Sequence, residues 1–234
     1  MAHLRTLHLW GEIKKFLDEA RKNLQTFSEL LARLNREQQE AKLNQQIKIL
    51  HDSKISVSTR ERIRLTDGKN LYVSPLPGEE YLVGVLYAEL QAKIPPDSNY
   101  SNYWKRVFTF STQGIDSIAA DTGELLDPKN LIAIEYKYEF TSAGPFNHAL
   151  CIVDQIVAWE VRLKDGETIT DDYNCFGTVR FIEDGIYEIF DIEETSGALY
   201  QDRIVTVVSL KSLISKTFPE STFRTPPKSK TTGH

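Results

Sequence analysis

No apolar run in these 234 residues is long enough to cross a bilayer. The start, Met1 to Arg5, lacks the apolar core of a signal peptide. A cytoplasmic protein without membrane attachment is expected. Cysteine is nearly missing: Cys151 and Cys175 are the only two. They make neither a disulfide framework nor a metal-ligand cluster. Both sit among strand-like residues, as buried thiols of a reducing compartment do. The five histidines, His3, His8, His51, His148 and His234, are too scattered for a zinc site. There is no glycine-rich phosphate loop of Walker or dinucleotide type and no Gly-x-Ser-x-Gly elbow.

What is present is ordinary in bulk and uneven in distribution. Hydrophobic residues make up 41% and charged residues 26%, the proportions of a globular domain. Residues 1–70 hold 14 Lys and Arg against 9 Asp and Glu, whereas residues 71–234 hold 14 against 24. A polyanionic partner is therefore favoured by the first part and opposed by the second.

The first segment reads as a helix. Trp10, Ile13, Leu17, Ala20, Leu24, Phe27, Leu31 and Leu34 alternate spacings of three and four, which is a heptad seam. Gln38, Ala41 and Gln45 weaken the seam, and the helix is expected to end near Leu50. It either forms a coiled coil with a second chain or packs on its own domain or a partner helix. Residues 1–52 are taken as this unit and 53–73 as short connecting strands. Within the latter, Arg60, Arg62 and Arg64 alternate with Glu61, Ile63 and Leu65. Such a row either holds phosphates or forms a solvated strand face. Asp67-Gly68 marks a hairpin turn.

Ser74 to Gly78 is a break, and a main domain over 74–218 follows it. Glu79 to Ala92 reads as a helix with Tyr81, Leu82, Val85, Leu86 and Leu90 on its apolar stripe. Strands are expected over Trp104–Phe110, Gly114–Ala120, Gln155–Val161, Val179–Ile182, Ile186–Ile192 and Arg203–Ser209. A short Leu125-Leu126 piece lies between the turns Asp121-Thr122-Gly123 and Asp127 to Asn130. A helix from Leu210 to Ser215 closes the domain, and residues 219–234, rich in Ser, Thr, Pro and Lys, are expected to be disordered. Trp104 and Trp159 are core candidates.

One strand breaks its own pattern. Asn130 to Phe140 is apolar and β-branched at first, then carries Glu135 and Lys137. Alternation puts these two on one face and Ile134, Tyr136 and Tyr138 on the other. Charges on a core-like strand are costly unless paired or bound. They form either a plain salt bridge or a site. Asp116 lies 19 residues before Glu135, on the preceding strand, and Glu79 and Glu80 lead the helix upstream.

That order resembles the PD-(D/E)xK superfamily of nucleases. Its core motif is an Asp on one strand, then a carboxylate-x-Lys on the next, here Asp116 and Glu135-Tyr136-Lys137. Pro77 to Val83 resembles the first core helix of many members, which carries a metal-site Glu near its start. No Pro precedes Asp116, where many members have one. A fainter likeness is to nuclease-like domains at the C-terminus of bacterial GHKL-type ATPases of defence systems. It rests on the Glu-x-Lys strand, on Asn147-His148 and on Ala158-Trp159-Glu160-Val161. The resemblance implies an α/β fold of restriction-endonuclease type, a mixed sheet flanked by helices, behind the N-terminal coiled-coil helix. It implies Mg²⁺ (or Mn²⁺) held by Asp116 and Glu135 with a main-chain carbonyl near Tyr136. Lys137 would orient or deprotonate water, and Glu80 (or Glu79) would complete the acidic rim. The implied activity is cleavage of nucleic acid, DNA being the expected substrate, in antiviral defence. Arg60, Arg62, Arg64, Lys105 and Arg106 are the candidate nucleic-acid contacts. The helix would give a homodimer or a hetero-complex, for instance with an ATPase. The alternative is a non-catalytic interaction module that assembles through that helix. His148 either assists near the site or is, as a lone His after a loop more often is, an ordinary surface or capping residue.

Overall fold

The structure, a computed structural model, describes residues 2–65, 71–111, 114–121, 127–195 and 203–226, with side chains from residue 10 onward. The expected turns at Asp67-Gly68 and Asp121-Thr122-Gly123, the Leu125-Leu126 piece and residues 227–234 of the tail lie wholly or partly outside these. The chain divides into two units, Met1–Thr59 and Arg60–His234.

The first unit is one helix, α1 (Ala2–Thr59). Trp10, Leu17, Leu24, Phe27, Leu31 and Leu34 are exposed along it. The helix runs past Leu50, so residues 53–59, expected as strand, are helical. Their hydroxyls explain how. Ser53 Oγ donates to the Ile49 carbonyl at 2.8 Å and Thr59 Oγ1 to the Ile55 carbonyl at 3.1 Å. Side chains that would otherwise compete with the helix bond back into it. Among the described residues, no helix is long and apolar enough to cross a membrane.

The second unit is mixed α/β. A small sheet comprises β1 (Arg62–Arg64), β2 (Leu71–Val73) and, far along the chain, β11 (Thr222–Arg224), in the order β11-β1-β2 and all antiparallel. Part of the tail expected to be disordered is therefore a strand. Helix α2 (Glu80–Gln91) follows. Then come β3 (Arg106–Phe110), β4 (Ser117–Ala120), β5 (Leu131–Thr141), β6 (Gln155–Arg162), β7 (Thr168–Thr170), β8 (Cys175–Glu183), β9 (Ile186–Glu194) and β10 (Val205–Ser209). Helix α3 (Leu210–Thr217) precedes β11.

These eight strands form one sheet in the order β3-β4-β5-β6-β10-β9-β8-β7. β5, β6 and β10 are mutually parallel, and the flanking pairs are antiparallel. A parallel pair needs a long crossover. Residues 142–154 supply it between β5 and β6, with a single 3-10 turn at Leu150–Ile152. β6 is buried on both faces, as central parallel strands are. Val157 and Trp159 join one core with Val83, Leu86, Tyr87 and Leu90 of α2 and Leu213 and Ile214 of α3. Ile156 and Ala158 join the other, with Leu150, Ile189 and Val207. Trp104 lies in the first core, its indole N–H donating to Thr217 Oγ1 at 2.9 Å.

Candidate active site

The site begins where β4 stops. The β4–β5 ladder runs from Ala120 opposite Leu131 to Ser117 opposite Ile134. Continued by one residue, that register sets Asp116 against Glu135. The backbone turns away there instead, through Gly114 at φ +75, and Asp116 stands just before β4 rather than inside the strand. Its carboxylate takes over the strand's role: Asp116 Oδ2 accepts the Tyr136 N–H at 2.9 Å. Asp116 N–H in turn donates to Glu135 Oε2 across 3.4 Å.

Glu135 is 1% exposed. Lys137 Nζ donates to its Oε1 at 3.0 Å, and His148 Nε2 stands 2.9 Å from the same atom. The alternation of β5 thus puts Glu135 and Lys137 on one face. Burial pushes the Glu135 carboxyl above the usual carboxylate range. The hydrogen bond and charge of Lys137 oppose this, Asp116 adds to it, and His148 opposes it.

Lys137 Nζ also lies 3.5 Å from Glu80 Oε2, and 5.8 Å from the centre of the Phe146 ring. Glu80 is the first residue of α2, where the helix dipole favours a carboxylate. Of the two upstream acids only Glu80 faces the site. Glu79 accepts two hydrogen bonds from Arg60, at 2.6 and 2.7 Å, and one from Leu76 N–H at 3.0 Å. α2 comes this close because residue 84 is Gly. A Cβ there would sit 2.7 Å from the Tyr136 ring and 2.9 Å from that of Phe110.

Loop 142–153 forms the remaining wall. Its Phe146 N–H donates to the Thr170 carbonyl at 2.7 Å, and the Phe146 carbonyl accepts from Asp172 N–H at 2.9 Å. Buried Asp171 gathers three more N–H groups: Leu150 at 2.7 Å, and Tyr173 and Cys175 at 2.8 Å each. So anchored, the loop presents His148 to Glu135, with the imidazole at 60° against the Phe146 ring. A cleft of about 340 Å³ opens here, lined in part by Glu80, Lys137, Phe146 and Asn147.

The four residues expected to carry chemistry, Asp116, Glu135, Lys137 and Glu80, therefore meet. His148 joins them, in line with the first of its two readings and not with the surface or capping one. The signal for it was positional: a parallel crossover must return across the sheet, and His148 sits on that crossover. Nothing in the sequence pattern singled out Asp171. The expected nucleic-acid residues do not form one set. Arg60 precedes β1 and is occupied by Glu79, so three arginines do not share one strand face. Lys105 is paired with Asp121. Arg106 lies on edge strand β3 with its guanidinium 5.6 Å from the Phe108 ring. Arg62 and Arg64 remain together on β1.

Among the described residues, no three of His, Cys, Asp and Glu form a ready metal-binding group. The Asp116 and Glu135 pair still suits a hard cation that takes few protein carboxylates and keeps its waters. Glu135 Oε1 accepts from Lys137 and has His148 Nε2 beside it, while Oε2 accepts the long bond from Asp116 N–H. No protein-family model, curated protein or solved structure matches the chain.

Proposed function

We propose that the chain is a metal-dependent nuclease of restriction-endonuclease-like type, acting on nucleic acid, with DNA the expected substrate, in defence against foreign DNA. One observation carries this reading. A nearly fully buried carboxylate, Glu135, lies against Asp116 and within hydrogen-bond reach of Lys137, at the point where a strand leaves the sheet. Structural salt bridges do not need an 11-residue core strand to carry them in its middle.

Asp116 and Glu135 would hold Mg²⁺ or Mn²⁺, which when bound offsets charge on the scissile phosphate and lowers the pKa of water. Lys137, held by Glu135 and Glu80, places a positive N–H donor beside the attacking water or the developing phosphate charge. His148 fixes the orientation of Glu135 by engaging Oε1, which leaves Oε2 turned towards Asp116. Phe146 covers Lys137 and restricts water around it.

The test is cleavage of plasmid and of single-stranded DNA with Mg²⁺ or Mn²⁺, comparing wild type with Glu135→Ala and Lys137→Ala. Metal-dependent cleavage is expected in the wild type. A fall of about 10²–10⁴-fold is expected for Lys137→Ala, the scale of a lost proton-transfer group. Cleavage that survives in both variants removes this site from the reaction.

A second reading has its own observation. Glu135 Oε1 already accepts a hydrogen bond from Lys137, with His148 Nε2 at 2.9 Å, without any cation. On that reading the unit is a non-catalytic module that assembles with a partner through α1. Absence of cleavage by wild type purified together with its native partners would favour it.

A further inference from the structure

We propose that Arg64 and Arg224 form a phosphate-binding pair that holds the backbone of a nucleic acid on the outer face of the small sheet. The identity of the ligand rests on the nuclease reading; the pair itself rests on the following geometry.

β1 is the middle strand of β11-β1-β2. Ile63, Tyr72 and Phe223 lie in register across it and pack into the first core. Strand alternation sends the remaining side chains the other way. That outer face carries Arg62 and Arg64 from β1, Thr222 and Arg224 from β11, and Leu71 from β2. Arg62 is directly opposite Arg224, and Arg64 is opposite Thr222. Like charges directly opposite each other destabilise a sheet. Placing Arg224 there adds a second guanidinium to a face that already carries Arg62 and Arg64.

The company of these arginines is the second point. The second unit has 26 acidic residues against 18 Lys and Arg. Its other arginines are mostly matched: Arg60 with Glu79, Arg162 with Glu139, Arg180 with Glu188 and Arg203 with Asp154. Arg64 and Arg224 are exposed, and neither has a carboxylate partner among the described residues. Arg62 interacts elsewhere and only flanks them.

The third point is shape. A cleft of about 200 Å³ is lined by Arg62, Arg64, Leu71, Thr222, Arg224 and Thr225, with no carboxylate among its described residues. Guanidinium forks suit phosphate oxygens, and the threonine hydroxyls add donors. Arg64 and Arg224 are diagonal neighbours, at positions whose backbones lie about 7–8 Å apart in such a sheet. That is the scale of successive phosphates on one nucleic-acid strand, which favours a polymer over a single small anion.

The experiment is fluorescence anisotropy of labelled single-stranded and duplex DNA with the full chain, in EDTA, between 50 and 200 mM salt. EDTA separates binding from cleavage. Arg64→Ser and Arg224→Ser are each expected to weaken binding regardless of DNA sequence. Each should also reduce the slope of log K against log salt by about 0.7 for single strands or 0.9 for duplex. Both variants should melt as the wild type does, since their side chains are exposed. Arg→Lys at either position should restore the slope. Affinities and slopes equal to wild type in both Ser variants would overturn the proposal, as would absence of DNA binding at 50 mM salt. Equal, equally arginine-dependent binding of poly-glutamate would also overturn the phosphate assignment. A chain that binds through these arginines yet never cleaves removes the nuclease reading alone. One that cleaves while binding independently of them removes this proposal alone.

Discussion

Glu135 is held as a charged group where a neutral one would fit more easily. Its pKa is raised, chiefly by burial, so the folded protein binds its proton more readily than the unfolded chain does. The contribution of such a group is fully present below the unfolded pKa, about 4.3, and is lost as pH rises through the higher folded value. Ionising this carboxylate as pH rises therefore subtracts from stability. Glu135→Gln should melt above wild type at pH 7–8, with the gain shrinking towards pH 4. A lower melting temperature at pH 8 would mean that Lys137 and His148 outweigh the burial. Asp171 is the opposite case, a carboxylate that satisfies three backbone N–H groups. Asp171→Ala strands the two buried ones, of Leu150 and Cys175, each at about 1–3 kcal/mol, so urea denaturation should show a loss of at least about 2 kcal/mol. The Cys175 thiol is pushed up to about 12 by burial and, next, by Asp171. At pH 8 iodoacetamide should label the half-buried Cys151 and leave Cys175 unmodified, as read by peptide mass.

Among the elements, α2 decides whether Glu80 reaches the site. Gly84→Ala drives a methyl into Tyr136 and Phe110. A cost of about 1–3 kcal/mol is expected from overpacking, along with weaker cleavage as Glu80 withdraws from Lys137. A melting temperature equal to wild type would show that the helix shifts freely. This helix was legible in the sequence because its apolar stripe is periodic. β5 and β6 were legible because long apolar strands with a stray charge pair are conspicuous, and the convergence of Asp116, Glu135, Lys137 and Glu80 followed from their order. β7 and β11 were not legible. A three-residue strand shows no period, and β11 is a strand only because β1 pairs with it. The last turns of α1 misled through β-branched residues and serines, whose propensity counts less than the back-bonds they form. His148 was named in the sequence only as one of two alternatives, because a contact made by a crossover is tertiary.

For the molecule as a whole, every buried core residue among the described residues lies in the second unit. Residues 60–234 alone should therefore fold and melt cooperatively. The seam of α1 is exposed, and an exposed heptad seam favours association. In sedimentation the full chain is expected to form a dimer, and residues 60–234 a monomer. Leu24→Asp with Leu31→Asp should bring the full chain to monomer. Identical association by the full chain and the shorter one would remove α1 from that role.

The early end of β4 has a consequence for solubility. Past Ile134, β5 has no ladder partner on that side among the described residues, and unpaired strand edges recruit other chains. The carboxylates gathered there act as gatekeepers: Asp116 caps the Tyr136 N–H, Glu80 lies beside Lys137, and Glu139 pairs with Arg162. Neutralising several of them together should turn the gap into a sticky rim. Such a variant would precipitate for a reason unrelated to chemistry, so on the proposed nuclease reading a failure to cleave carries meaning only when the sample is monodisperse.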